Sequence, residues 1–247
     1  MSNENKREVE KEALTLAKTY DKCKSGQPRL TVVMIHGIAS SSATYDKALD
    51  FLRKDADLKD VRFVTFDLLG AGKSMKSDAL EYDLTEQTTA LRNAIAELGV
   101  TSPLVLVGHS MGTIIATNYA NEYGVDKLIL LSPPIYTRND LENPMLEAAL
   151  KMFRDAVSIK NREILEEKAF NNEMALIVLN PENYGRLLKV TIPTILIYGR
   201  GDQFIASYNI PGVVRKNPNI KALATVGRHS VSLEKYSRLA EILKEML

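Results

Sequence analysis

The chain has 247 residues, 45% hydrophobic and 26% charged, with 32 Lys and Arg against 31 Asp and Glu. A chain of that length can bury a core without disulfide or metal staples, and the charge balance gives no electrostatic reason to expect nucleic acid or an anionic membrane as partner. Cys23 is the one cysteine, residues 1–12 lack the apolar core of a signal peptide, and the longest apolar run, residues 174–179, is far short of a membrane span; the expectation is a cytoplasmic protein with no span.

Residues 1–26 are rich in Lys and Glu. Val9, Ala13, Leu16, Ala17 and Tyr20 recur at helical spacing on one face, which predicts an N-terminal packing helix ended by Gly26-Gln27-Pro28; a partner-binding arm is the alternative. Residues 30–35 are β-branched and almost wholly apolar, the pattern of a strand covered on both faces of a parallel sheet. They run into His36-Gly37-Ile38. A helix follows over 44–56, with Tyr45, Leu49 and Leu52 on one side. The second strand, 61–66, closes on Asp67-Leu68-Leu69-Gly70-Ala71-Gly72-Lys73-Ser74. Asp83 with Glu86 three residues on resembles a capping box. The helix after it carries Leu84, Leu91, Ile95 and Leu98 and stops at Gly99.

The third strand, 103–108, enters Gly108-His109-Ser110-Met111-Gly112, and a helix then runs to about Gly124. The fourth strand is 127–131, ending on Ser132-Pro133-Pro134; the fifth is 194–198 and the sixth 221–225. A terminal helix aligns Leu239, Ile242, Leu243 and Met246. Strands alternating with helices predict a parallel sheet with right-handed crossovers. Residues 135–190 break the rhythm, being too long for a structureless loop. Met145, Ala149, Met152, Phe153 and Val157 form a stripe there, and Ile164, Leu165, Phe170, Leu176, Ile177 and Leu187 follow at helical spacing. The expectation is an α/β fold over 1–247 as one domain, with about six parallel strands and a helical cap inserted at 135–190.

Gly108 to Gly112 matches Gly-x-Ser-x-Gly, in which a serine stands at the tip of a strained strand-to-helix turn. A nucleophilic serine needs a base, and a carboxylate to orient that base. Three histidines are available. His109 precedes Ser110 directly, where the backbone turns its side chain away from the hydroxyl, and His36 sits in the turn after the first strand. His229, just past the last strand, remains. Loops after parallel strands gather at the carboxyl edge of the sheet, which would bring His229 to Ser110. No acid follows the fourth strand, but Gly199-Arg200-Gly201-Asp202 follows the fifth, so Asp202 is the candidate. The two oxyanion donors would be the backbone N–H of Met111 and of Ile38, with Ala39 as an alternative to the latter. No His/Cys/Asp cluster has ligand spacing, so no metal or cofactor is expected.

On His36-Gly37, the 67–74 turn, Gly108-His109-Ser110-Met111-Gly112, Gly199-x-x-Asp202 and His229, the chain resembles the α/β-hydrolase superfamily, in its compact branch of esterases, lactonases, C–C hydrolases and cofactor-free haloperoxidases. The resemblance covers roughly residues 30–247. It implies Ser110, Asp202 and His229 as a triad and residues 135–190 as a lid, and a serine at the elbow excludes the dehalogenase and epoxide-hydrolase chemistries that use aspartate there. The family usually opens with an antiparallel strand pair; the spacing here predicts the N-terminal helix in its place. The expected function is hydrolysis of a small or medium, largely apolar ester. A C–C bond, lactone or thioester is the alternative with the same triad, transfer of the acyl group to an alcohol is a lower one, and a non-catalytic small-molecule binder is the alternative from another class.

Overall fold

The computed structural model describes residues 14–160, 166–232 and 234–247. Seven strands form one sheet: β1 (Ala17–Cys23), β2 (Leu30–Ile35), β3 (Val61–Asp67), β4 (Leu104–His109), β5 (Lys127–Leu131), β6 (Thr194–Gly199) and β7 (Ile220–Thr225). Their order is β1-β3-β2-β4-β5-β6-β7. β2 to β7 pair in parallel, so the turns that follow these six strands emerge at one edge. The six predicted strands are found within a residue or so of their expected ends.

Strand alternation splits the core in two. Leu30, Val32 and Met34 of β2 pack with Val105, Val107, Ile129 and Leu131 on one face. Val33, Ile35, Leu106, Leu128 and Leu130 look to the other. Leu49 and Leu52 and the C-terminal helix (Tyr236–Lys244) cover the first face through Leu239, Ile242 and Leu243. The helices Leu84–Glu97 and Met111–Tyr123 cover the second. Burial on both faces is why the strands read as nearly continuous apolar runs. The predicted helix at 44–56 is shorter, an α-helix only over Asp46–Leu52 between 3-10 turns at Ser42–Tyr45 and Ala56–Leu58. The Asp83 cap forms, its carboxylate accepting the Glu86 N–H at 2.8 Å, but Glu86 turns to the N–H groups of Glu81 and Tyr82.

The N-terminal helix is corrected. Val9 and Ala13 lie outside the described residues, and Ala17 and Tyr20 belong to β1, an antiparallel edge strand on β3. Tertiary context outweighs the helical spacing here. Without β1 the outer edge of β3 would present a row of unpaired backbone groups. Specific side chains seal the pairing. Arg62 of β3 grips Asp21 through two hydrogen bonds of 2.7 and 2.8 Å, and the Thr19 and Thr65 hydroxyls meet at 2.8 Å.

Between β5 and β6 lie the helices Arg138–Leu141, Pro144–Lys160, Glu167–Asn172 and Glu182–Leu188, with a π-helical stretch at Glu173–Val178. The expected stripe holds at Phe153 but not at its two methionines. Met145 and Met152 are 82% and 72% exposed, whereas Leu146, Leu150 and Phe153 pack toward the core. Periodicity supplies two adjacent apolar stripes on this helix, and Phe153 selects one by meeting the rings of Phe170 and Phe204. Val157, Ile164 and Leu165 fall outside the described side chains. The cap is fastened to the excursion after β3. Tyr82 donates to Glu166 Oε2 at 2.7 Å, and Gln87 Nε2 donates to Glu173 Oε1 at 2.8 Å. Gly70 lies so close beneath Ala169 that an added Cβ would come within 2.5 Å of the alanine methyl.

Candidate active site

Ser110 occupies the turn between β4 and the helix Met111–Tyr123 with φ 51° and ψ −121°. A non-glycine residue holds such a conformation only when its surroundings impose it. Here its N–H donates to the Leu131 carbonyl at 2.9 Å, and its carbonyl accepts from the Thr113 N–H at 2.9 Å. The flanking glycines are required by close approach: a Cβ on Gly112 would lie 2.3 Å from the Ile35 carbonyl oxygen, and one on Gly108 2.5 Å from that of Gly112.

His229 begins the short turn after β7. Its Nδ1 lies 2.7 Å from Asp202 Oδ2. An ionised carboxylate only accepts, so the shared proton sits on Nδ1 and leaves the lone pair on Nε2. The Asp202 side chain is fully buried and that of His229 19% exposed. Asp202 Oδ1 accepts the Phe204 N–H at 2.9 Å, so both carboxylate oxygens have partners. His229 is held from three further sides. The Ser132 hydroxyl donates to its carbonyl at 2.9 Å, the Phe204 ring meets it edge-on with centroids 5.5 Å apart, and the His109 ring lies 5.1 Å away.

Ser110 and His229 line one cleft with Ile38, Pro134, Tyr136, Leu150, Phe153, Met174, Val178 and Phe204, around ≈ 310 Å³ of space that is partly open to solvent. Five of these ten residues, Tyr136, Leu150, Phe153, Met174 and Val178, come from the cap, which builds half of the wall. Among the described residues that line it there is no carboxylate and no Lys or Arg side chain. Met111 opens the helix after the elbow, where the first N–H groups have no intrahelical acceptor. Ile38 lines the same cleft as Ser110, and its neighbour Ala39 has φ 55°.

The other histidines occupy closed positions. His36 accepts the Leu68 N–H on Nε2 at 2.9 Å, and its Nδ1 lies 2.8 Å from the Gly37 carbonyl. Both ring nitrogens are thus engaged, and burial lowers its pKa. Burial, with His229 nearby, pushes His109 down to about 3, so it is neutral. Its Nε2 is buried with no hydrogen-bond partner among the described residues. The turn after β3 is a locked floor: Asp67 accepts N–H groups from Ser42 at 2.8 Å and Lys73 at 2.9 Å.

Sequence reasoning named Phe153 only as part of the cap's apolar stripe and passed over the roles of Ser132, Tyr136 and Phe204. Ser132 had a signal, since it follows a parallel strand at the edge where Ser110 and Asp202 were sought. Tyr136 and Phe204 had none, because their positions depend on how the cap folds back. Among the described residues no helix is long and apolar enough to cross a membrane.

Comparison with known proteins agrees with this architecture. A family model described as serine aminopeptidase, S33, matches residues 26–175. A probable lysophospholipase, BODYGUARD 2 of Arabidopsis thaliana, is 34% identical over 110 residues, 44% of this chain and 23% of that protein. The match therefore spans about a quarter of that relative's length. Lipase 1 of Psychrobacter immobilis is 26% identical over 81% of this chain and 72% of its own. An esterase from Exiguobacterium antarcticum superposes with a TM-score of 0.71 at 21% identity, over 93% of this chain and 94% of its own. A bromoperoxidase from Bacillus anthracis does so at 0.70 and 19%, over 93% and 95%. The sheet order, the strained serine and the family match over more than half the chain lead to one assignment: the chain belongs to the α/β-hydrolase superfamily, in the family described as serine aminopeptidase, S33.

Proposed function

We propose that the protein is a serine hydrolase of small or medium, largely apolar carboxylic esters, acting through an acyl-enzyme. One observation carries the reading: His229 Nδ1 lies 2.7 Å from a buried Asp202 carboxylate, on a ring that lines the same cleft as Ser110. Ser110 Oγ attacks the ester carbonyl carbon while His229 Nε2 takes its proton. The oxygen that becomes negative is met by the N–H groups of Met111 and Ile38. Collapse of the tetrahedral adduct breaks the bond to the alkoxy oxygen, and His229 returns the proton to the departing alcohol. Water then attacks the acyl-serine with His229 again as base, releasing the acid and restoring Ser110. Asp202 fixes the imidazole tautomer throughout.

The cleft favours an ester over a peptide with a free amino terminus. Recognition of an α-ammonium calls for a carboxylate, and among the described residues none lines the cleft. The apolar wall suits an uncharged acyl or alcohol part.

A fluorophosphonate probe should label the wild type and not Ser110→Ala. A panel of p-nitrophenyl esters of rising acyl length, run beside a thioester, a lactone and an amino-acid p-nitroanilide, should show the esters turned over fastest. Faster anilide hydrolysis would replace the proposal with an aminopeptidase, and a folded wild type that resists the probe would replace it with a binding protein.

A further inference from the structure

Phe204 touches both members of the His229–Asp202 pair and also the cap. Its N–H donates to Asp202 Oδ1 at 2.9 Å. Its ring meets the His229 imidazole at 85° with centroids 5.5 Å apart. Its carbonyl accepts the Tyr136 hydroxyl. On its other side, Phe153 of the cap helix Pro144–Lys160 packs at 5.3 Å between centroids and continues to Phe170 at 6.4 Å. A row of rings therefore runs from the cap, through Phe204, to the imidazole.

The remaining supports of His229 come from the sheet side. Ser132 holds its carbonyl, and His109, in the last position of β4, lies against its ring. Asp202 and the Ser132 contact fix one ring nitrogen and the backbone, but rotation of the imidazole toward the cleft is limited by Phe204. Phe204 in turn stands in a loop after β6, and its ring is braced by Phe153.

We propose that Phe204 is the positioning residue of the His229–Asp202 pair and that Phe153 sets Phe204, so that seating of the cap determines where the imidazole points. The inference rests on the triad reading above, but its test does not depend on that reading alone. Phe153 thereby has two roles, as a wall of the cleft and as the cap's brace on the pair.

Removing an aromatic neighbour from such a contact changes rates by roughly three- to tenfold. With p-nitrophenyl acetate, whose acyl group is too short to need the cap wall, kcat should fall about tenfold in Phe204→Ala and about threefold in Phe153→Ala. The double variant should fall about tenfold, matching Phe204→Ala alone, because the brace has no target once Phe204 is gone. Phe204→Leu should recover part of the loss. A readout free of turnover is the low-field NMR resonance of the His229 Nδ1 proton shared with Asp202. It should shift in Phe204→Ala, and by less but in the same direction in Phe153→Ala. The proposal is overturned if Phe153→Ala leaves that resonance and the acetate kcat unchanged and alters only KM for longer esters, or if the double variant falls about thirtyfold, the product of independent effects. A wild type without esterase activity would refute the hydrolase reading, while the resonance would still decide the coupling.

Discussion

Glu173 gives a test of the cap that needs no substrate. It is 1% exposed, its Oε1 accepts from Gln87 Nε2 at 2.8 Å, and its Oε2 is buried with no hydrogen-bond partner among the described residues. Burial pushes its pKa well above the ordinary value of 4.5, against the smaller opposing effect of the Gln87 hydrogen bond. The unfolded chain releases this proton near 4.5, whereas the native chain keeps it. In the window above 4.5 and below the native pKa, the unfolded state therefore binds one proton fewer than the native state. Unfolding free energy then falls by about 1.4 kcal/mol per pH unit on this account; below 4.5 both states are protonated and the contribution is constant. Glu173→Gln keeps an acceptor for Gln87 and removes the titration. Urea unfolding of wild type and variant at pH 5.5, 6.0 and 6.5 should show wild-type stability falling more steeply, by up to about 1.4 kcal/mol over that unit, or at most roughly 3–6 °C in melting temperature for a chain of this size. Parallel slopes would mean that the native protein does not hold this proton, and the account of Glu173 as a neutral acid under the cap would be wrong.

Three further outcomes follow from the geometry. Asp202→Asn should leave the fold intact and lower kcat by about 10³–10⁴ with little change in KM, because the amide favours the wrong imidazole tautomer; an undiminished kcat would remove Asp202 from the triad. Gly112→Ala should cost about 3 kcal/mol or more in urea unfolding, since its Cβ would lie 2.3 Å from one backbone oxygen and 2.6 Å from another, neither free to move. Burial alone would raise the pKa of Asp140, but hydrogen bonds from Tyr208, Thr137 and Asn209 outweigh it and hold the group below its ordinary value. A lowered carboxylate pKa stabilises the fold above the unfolded value of 3.8 and loses that contribution as pH falls through the native one. Asp140→Asn should therefore be less stable than wild type at pH 7 by about 1–2 kcal/mol, a gap that narrows below pH 4.

The central strands were legible because each is buried on both faces, which removes the ambiguity of alternation and leaves a solid apolar run. The elbow was legible because two backbone approaches leave no room for a Cβ, so the glycines announce the turn. β1 was not, because an edge strand has one wet side and its residues, Ala17 to Cys23, carry no strong pattern of either period. What makes it a strand is the unpaired flank of β3 and the Arg62 fork on Asp21, both distant in sequence. The cap helix was legible as a helix but not in its rotation. Met145 and Met152 are as apolar as Leu146 and Leu150, and the choice between the stripes is made by aromatic partners elsewhere. Phe204 was illegible for the same reason: its contacts exist only once the β6 loop, the cap and His229 have converged.

The strain at the site has a common support. Ala39, Ser110 and Ser132 have φ of 55°, 51° and 51°, and they lie in the turns after β2, β4 and β5, three neighbours in the sheet. Each such conformation costs about 1–3 kcal/mol and persists only where the surroundings over-determine it. For the two serines the determining contacts are alike. Ser110 donates its N–H to Leu131 of β5 at 2.9 Å, and Ser132 donates its own to Ile197 of β6 at 2.8 Å. The parallel ladder thus extends one residue beyond each strand and pins the strained amide to its neighbour, so the sheet bears the cost rather than the loop. The two turns differ in what they do with the side chain. At Ser110 it faces the cleft; at Ser132 the hydroxyl reaches the His229 carbonyl at 2.9 Å. One backbone device, repeated on adjacent strands, presents the candidate nucleophile and tethers the candidate base. Loosening the β5–β6 pairing should therefore disturb His229 through Ser132, even though neither strand supplies a group to the reaction.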